Sequence, residues 1–526
     1  MFQIVIADHL HATGMEILRA APDVSLSGPP RDRPALLALL PEAHALIVRS
    51  ATHVDRELLN HAPGLRVAAR AGASLENVDL DECTRRGILV VNVPDANVIA
   101  VVEHTFGMML ALARHIAQGY ASLRADEWKR HELLGVQLYQ KTLGIIGFGR
   151  HGRAMALRAR AFGMQVLAYD PYINEGEVRE QRVSIVGLDE LLARADFISL
   201  HAALSPESRQ ILNARALARL KDGARIINCA HADLIDEAAL LAALDSGQVA
   251  GAALDTFQAE PPIGNPLVTH PRVLAVPHLN QNTVESQTET ARQVAQDVLD
   301  ALRCDDYRNV VNLPFRPGVE YRPNQPYLRL AGKLGKAQGQ LAQGRITRVE
   351  VEILGEGLQS LVRPVAAALL AGLLRPADAR PINYVNAPVI AHEQGIQMAQ
   401  ARGLELVNYP NLISCRVSWE GGARTMAGVI FAGDEPRLVQ YDAFRIDAKP
   451  EGYVLVLENE DVPGVIGRVG TLLGTHRVNI GEWRLARNAL GGSAVSFINL
   501  DSPAPPEALE ALRNEPAITK AQVIKL

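Results

Sequence analysis

Two histidines and two acids in this chain stand where chemistry could be done. His278, in AVPHLNQNT, directly follows an apolar strand, at the sheet end where α/β folds place ligands. An imidazole shuttles a proton near neutral pH, and a carboxylate beside it holds the ring and favours the protonated form. Glu260, in TFQAEPP, is the candidate carboxylate, because the loop leaving strand AGAALD should end nearby in such a sheet. The stretch INCAHADLID, 227–236, adds His231 and Asp233 where a strand ends and a helix begins. Taken alone, a histidine and a glutamate in two loops are ordinary surface residues.

A second motif supplies context. In GFGRHG, Gly147, Gly149 and Gly152 follow strand KTLGII and open a helix. The first permits a tight turn, the second lets a pyrophosphate approach the backbone, and the third lets helix and strand pack closely. An acid, Asp170 in VLAYDP, ends the next strand. It can accept hydrogen bonds from a ribose 2′-hydroxyl and would repel a 2′-phosphate, so NAD is favoured over NADP.

The elements that must position these groups read as strand and helix in alternation. FQIVIA, HALIVRS, LRVAARAG and GILVVNVP are strands with helices between them. A long helix is expected from about Val98 to Arg124, with Val102, Phe106, Met109, Leu110 and Ala113 on one apolar face. From KTLGIIG the units repeat through QVLAYD, DFISLH, ARIINCA, AGAALD and RVLAVPH, which predicts a parallel sheet covered on both faces. Helix 283–302 ends that run, and DYRNVVNLPF is expected to return toward the first domain. Beyond the turn-rich RPGVEYRPNQP, strands such as RVEVEILG and ISCRVSWEG alternate with Ala-rich helices, as in an α+β domain. The tail reads β-α-β-β-α-β, a ferredoxin-like order.

Bulk properties narrow the function. A chain of 526 residues, 48% of them hydrophobic, divides into several domains. With 58 acidic residues against 53 basic ones there is no broad positive field for nucleic acid. Cys83, Cys229, Cys304 and Cys415 show no metal-ligand spacing, and the run FGMMLALA is too short to span a bilayer. A cytoplasmic protein without metal, acting on a small molecule, is the expectation.

From KTLGIIGFGRHG through YDPY, LDELLARADFISLH, LIDEAAL, GAALDTF and PHL, with RAGASLENVDL and VEHTFGMMLALAR upstream, the chain resembles the D-2-hydroxyacid dehydrogenases, and among them the long-form phosphoglycerate dehydrogenases. NYVNAPVIAHEQGI and MAGVIF resemble that family's intervening domain, and VPGVIGRVGTLLGTHRVNI its ACT regulatory domain. The resemblance implies two Rossmann-like domains, substrate-binding (1–98 plus 290–318) and NAD-binding (99–289). An α+β intervening domain (319–450) and a ferredoxin-like ACT domain (451–526) follow. It implies a role in serine biosynthesis, with His278 as acid/base and Glu260 orienting it. Gly147, Gly149, Gly152 and Asp170 fall on the NAD fingerprint, and Arg150, His151, Cys229 and Asp255 join them as cofactor-side candidates. Arg49, Ser50 and Arg130 fall on phosphate-holding positions, with Asn97 and Ala73 as further substrate-side candidates. In the tail, Asp461 and Asn479 fall on an L-serine effector site between paired copies, which implies a homodimer or homotetramer.

Three loops depart from the family pattern. Where the family usually reads INxARGGLID, with an arginine binding the substrate carboxylate, this chain has HAD, and a histidine lacks the planar, permanently charged fork. Asp233 adds a charge that repels an anion unless it is solvated or paired. Ala73 and Leu75 replace a glycine-valine-glycine pattern, and Asn280, Gln281 and Asn282 stand where small residues usually follow the histidine. Three readings stay open: phosphoglycerate oxidation with His231 in the arginine's place, the same hydride chemistry on another 2-hydroxy or 2-oxo substrate, or an NAD-binding regulatory homologue.

Overall fold

The computed structural model describes residues 1–173, 182–315, 319–355, 358–375, 381–403, 409–431 and 434–526. Short apolar strands bounded by amphipathic helices assemble into two parallel sheets. The first runs, in spatial order, Val24–Ser27, Phe2–Ile6, Ala45–Val48, Val67–Arg70 and Leu89–Val91. The second has seven strands, ordered Val273–Ala275, Val249–Leu254, Ala224–Asn228, Phe197–Leu200, Thr142–Ile146, Gln165–Tyr169 and Ser184–Ile185. Every pairing in it is parallel, and its inner strands are continuous apolar runs because helices cover both faces. The strand order reverses beside Thr142–Ile146, so a crevice opens at the carboxyl ends of that strand and Phe197–Leu200, where the glycine turn begins.

The structure corrects one connection and shows how another is packed. The long helix is two helices, Val98–Ala113 and Ile116–Arg124, because His115 takes a left-handed backbone at φ 52°. The helix ending the second run, Val284–Arg303, packs on the first sheet, with Ala291, Val294, Val298 and Leu302 in one core with Ile4, Ile6 and Leu18. Its approach to helix Ala12–Ala20 is close enough that a Cβ on Gly14 would lie 2.6 Å from the Ala291 carbonyl oxygen. The chain packs on the first unit from this helix onward, and DYRNVVNLPF extends the contact: the Val311 N–H donates to the Val90 carbonyl at 2.8 Å.

The intervening unit carries a mixed six-stranded sheet against helices Gln325–Leu341 and Val362–Leu374. Strand Ile346–Leu354 pairs parallel with Gln397–Gly403 and antiparallel with Leu412–Trp419. The tail is a four-stranded antiparallel sheet in the order Ile480–Arg487, Ser493–Leu500, Tyr453–Glu460, Ile518–Lys525, with helices Val465–Thr475 and Pro506–Arg513. Alternation with period two splits its faces. Leu455 and Leu457 meet the tail's own helices, whereas Val454, Val456 and Phe497 join the intervening core. Among the described residues no helix is long and apolar enough to cross a membrane.

Candidate active site

A cleft of about 300 Å³ is lined by Glu76, His231, Asp233, Thr256, Glu260 and His278, among others. Three separate loops therefore deliver the sequence candidates to one place. The Nδ1 of His278 lies 2.9 Å from Glu260 Oε2 and 3.1 Å from Oε1, so the carboxylate grips one ring nitrogen and leaves Nε2 for the cleft. Glu260 Oε1 also accepts the Phe257 N–H at 3.2 Å, which fixes the acid in its own turn.

His278 sits at φ 51°, a left-handed conformation that costs a non-glycine residue roughly 1 kcal/mol or more. Its neighbours hold it there. The Leu279 and Asn280 N–H groups donate to the two oxygens of Asp255 at 2.6 and 3.0 Å, and Asp255 is fully buried. His104 Nε2 stands 3.2 Å from the same carboxylate. Asp255, a cofactor-side candidate, thus organises the loop that presents His278. Cys229 beside it is a buried thiol pushed up to about 12 by burial, hence protonated, and its carbonyl accepts from Asn280 Nδ2 at 2.8 Å.

In the same cleft, His231 Nδ1 lies 3.0 Å from Glu76 Oε1, a partner not foreseen from the sequence. The His231 ring bonded to Glu76 holds that carboxyl below its usual range, with the nearby Arg70 adding to the effect. Asp233 does not face the cleft as a free charge, because Arg209 Nη1 pairs with it at 2.7 Å. The loop RAGASLENVD contained the signal in Glu76, an acid facing the pocket, but nothing local to it pointed to His231. Arg70, at the end of its strand, was also missed. Burial lowers its basicity and its Nε is buried without a partner, an expensive state unless an anion meets it.

The remaining substrate-side candidates are more scattered. Arg49 lines a second, smaller recess with His9, His11, Gln281 and Gln287, and Asn97 Nδ2 reaches Gln281 Oε1 at 3.2 Å. Ala73 contributes its carbonyl to Asn92 Nδ2 at 2.6 Å. Ser50 and Arg130 are exposed and line neither recess.

The nucleotide turn can be tested glycine by glycine. Gly147 needs its φ of 92°, and a Cβ there would stand 2.4 Å from the Ala202 nitrogen. A Cβ on Gly152 would stand 2.3 Å from the Gly147 carbonyl oxygen, so it is fixed by helix-to-strand packing. Gly149 has nothing within 4 Å of an added Cβ, and it caps helix Arg150–Ala161 without a side-chain bond. Packing does not require glycine there, and the space above the helix N-terminus, where anions are favoured, is left open. Asp170 accepts the Phe148 and Tyr172 N–H groups at 2.9 and 3.0 Å, each through a different oxygen, which anchors it at the turn with lone pairs to spare. Arg150 pairs with Asp95 at 2.6 Å, and burial beside Arg150 lowers the His151 pKa. Thr256 Oγ1 and Asn280 Oδ1 are buried without partners near the cleft. An open glycine turn, an anchored acid and unpartnered polar atoms suit a dinucleotide.

In the tail the two effector candidates do not meet. Asp461 binds Arg487 Nη1 at 3.0 Å and accepts the Gly491 N–H, and Gly464 is the N-cap of helix Val465–Thr475. Asn479 Nδ2 donates to Asp501 at 2.7 Å. Arg487 and Asn479 mark opposite ends of the edge strand Ile480–Arg487.

Residues 106–280 match the family model of the D-isomer specific 2-hydroxyacid dehydrogenase NAD binding domain, which makes NAD the cofactor of this unit. Residues 324–442 match that of the D-3-phosphoglycerate dehydrogenase intervening domain. The D-3-phosphoglycerate dehydrogenase of Methanocaldococcus jannaschii is 38% identical over 528 residues, covering 100% of both chains. That of Bacillus subtilis is 38% identical over 482 residues, 92% of each. Among solved structures, a D-lactate dehydrogenase from Aquifex aeolicus complexed with NAD and lactic acid is 26% identical with a TM-score of 0.52. It covers 58% of this chain and 96% of that one. The chain belongs to the D-3-phosphoglycerate dehydrogenase family of D-2-hydroxyacid dehydrogenases.

Proposed function

We propose that this cleft oxidises the 2-hydroxyl of D-3-phosphoglycerate, and the observation that carries the reading is the His278–Glu260 pair lining one cleft with His231. Bound NAD supplies the acceptor for the hydride leaving carbon 2. His278 takes the hydroxyl proton on Nε2 as the carbonyl forms, and Glu260 stabilises the resulting imidazolium through Nδ1. His231 meets the substrate carboxylate where the family has arginine. The pairing of Asp233 with Arg209 removes the repulsion that would otherwise oppose this contact. Arg49 and the under-partnered Arg70 are the groups available to the phosphate.

The exposed placement of Arg130 and the separate recess of Arg49 favour a second reading, a 2-hydroxy acid without a phosphate. Formation of NADH from D-3-phosphoglycerate, D-glycerate and D-lactate decides between them. A kcat/KM highest for the phosphorylated acid supports the first reading, and one highest for an unphosphorylated acid replaces it with the second.

The tail reads as an ACT module that binds L-serine between two copies. Antiparallel pairing of two edge strands Ile480–Arg487 about a twofold axis would carry Asp461 of one copy to Asn479 of the other, which suits a homodimer or a dimer of dimers. Light scattering showing only monomer would remove this reading. The cytoplasm fits four free cysteines, three of them buried.

A further inference from the structure

The cleft contains two histidine–carboxylate pairs built alike. His278 is gripped at Nδ1 by Glu260, and His231 at Nδ1 by Glu76, so each ring keeps only Nε2 for a ligand. The first pair is accounted for by proton transfer, whereas the second has no counterpart in a cleft anchored by arginine. We propose that Glu76 is a positioning residue that turns His231 toward the substrate, and that an imidazole standing in place of a guanidinium makes the carboxylate anchor proton-dependent. The proposal rests on the hydroxyacid dehydrogenase reading of the cleft and adds a regulation by pH to it.

The groups facing the His231 ring are few. Glu76 bonds it, Asp233 on its own turn is neutralised by Arg209, and Arg70 stands behind Glu76. His278 and Glu260 line the same cleft. Glu76 is the nearest unneutralised acid, and its carboxyl is held below the usual range, so it remains an anion into mildly acidic solution. An imidazole titrates near neutral pH and a guanidinium does not.

A histidine that anchors a carboxylate through a charged hydrogen bond holds it less well as pH rises, equally for the 2-hydroxy and the 2-oxo acid, whereas an arginine anchor does not.

The test is the pH dependence of kcat and KM in both directions for the wild type, Glu76→Gln, Glu76→Asp and His231→Arg. Glu76→Gln is expected to raise KM for the acid about tenfold, the scale of one hydrogen bond to a charged group, with kcat within about twofold. Glu76→Asp should recover part of the loss. His231→Arg should abolish the rise of KM toward alkaline pH. A Glu76→Gln enzyme with wild-type KM across the pH range, or a His231→Arg enzyme that keeps the alkaline rise, overturns the proposal. Calorimetric titration of oxalate into the NADH-loaded protein gives a readout without turnover, and about tenfold weaker binding by Glu76→Gln is expected. Should no 2-hydroxy acid be turned over, the dehydrogenase reading fails by itself, and equal oxalate affinity in the two proteins would then overturn the role of Glu76.

Discussion

The nucleotide side and the substrate side of the cleft are built on different terms. On the nucleotide side each departure from glycine is forbidden by a nearby backbone atom or by space a ligand needs, and the motif stands intact over a few consecutive residues. On the substrate side the contacts are made by long side chains from distant loops, Glu76 to His231 and Arg209 to Asp233, and one partner can be exchanged if another follows. A backbone cradle resists change, and a side-chain network can be rewired around the same chemistry.

The largest effect expected comes from the group that both sides share. His278→Asn should lower kcat by roughly a hundred to ten thousandfold while NAD affinity, measured by calorimetry, stays close to wild type. Unchanged turnover would move the proton transfer elsewhere.

Next comes a pH effect confined to the substrate half. Asp297, buried in helix Val284–Arg303, has its pKa raised from 3.8 to about 6 by burial. A raised acid makes the folded state hold its proton more tightly, so stability falls as pH rises from about 4 to 6 and stays reduced above. Asp297→Asn should therefore stabilise the protein at pH 7, by at most about 3 kcal/mol, and give no gain below pH 4. Thermal unfolding of the two proteins at both pH values checks the sign.

The glycines sharpen the contrast on the other side. Gly152→Ala should cost about 1 to 3 kcal/mol of stability, because its Cβ meets the Gly147 carbonyl, and should weaken NAD as well. Gly149→Ala should leave thermal stability alone and weaken NAD only. Equal losses of stability would show that both glycines serve packing. The smallest effect expected is that of Asp170→Ala, which should narrow the preference for NAD over NADP by about tenfold, since a carboxylate repelling a 2′-phosphate is lost.

What could be read in the sequence follows the same division. Strand and helix alternation, the glycine turn and Asp170 depend on neighbours in the chain, and they stand where their spacing placed them. His278 and Glu260 were legible because both leave adjacent strands of one parallel sheet. The break at His115 was not, since no glycine or proline marks it and the apolar face runs on through it. Nor was the Glu76–His231 pair, because it joins a loop of the first sheet to a loop of the second. Asp255 had a position at a strand end but its partners, the Leu279 and Asn280 N–H groups, are visible only in three dimensions.

The most direct test of His231 as the carboxylate anchor is a crystal structure with NADH and the 2-oxo product of D-3-phosphoglycerate. His231 Nε2 should lie about 3 Å from the carboxylate, with Glu76 on Nδ1 and His278 Nε2 at a similar distance from the 2-oxygen. A carboxylate held by Arg70 or Arg49, with His231 turned away and His278 out of reach of the 2-oxygen, would contradict the account.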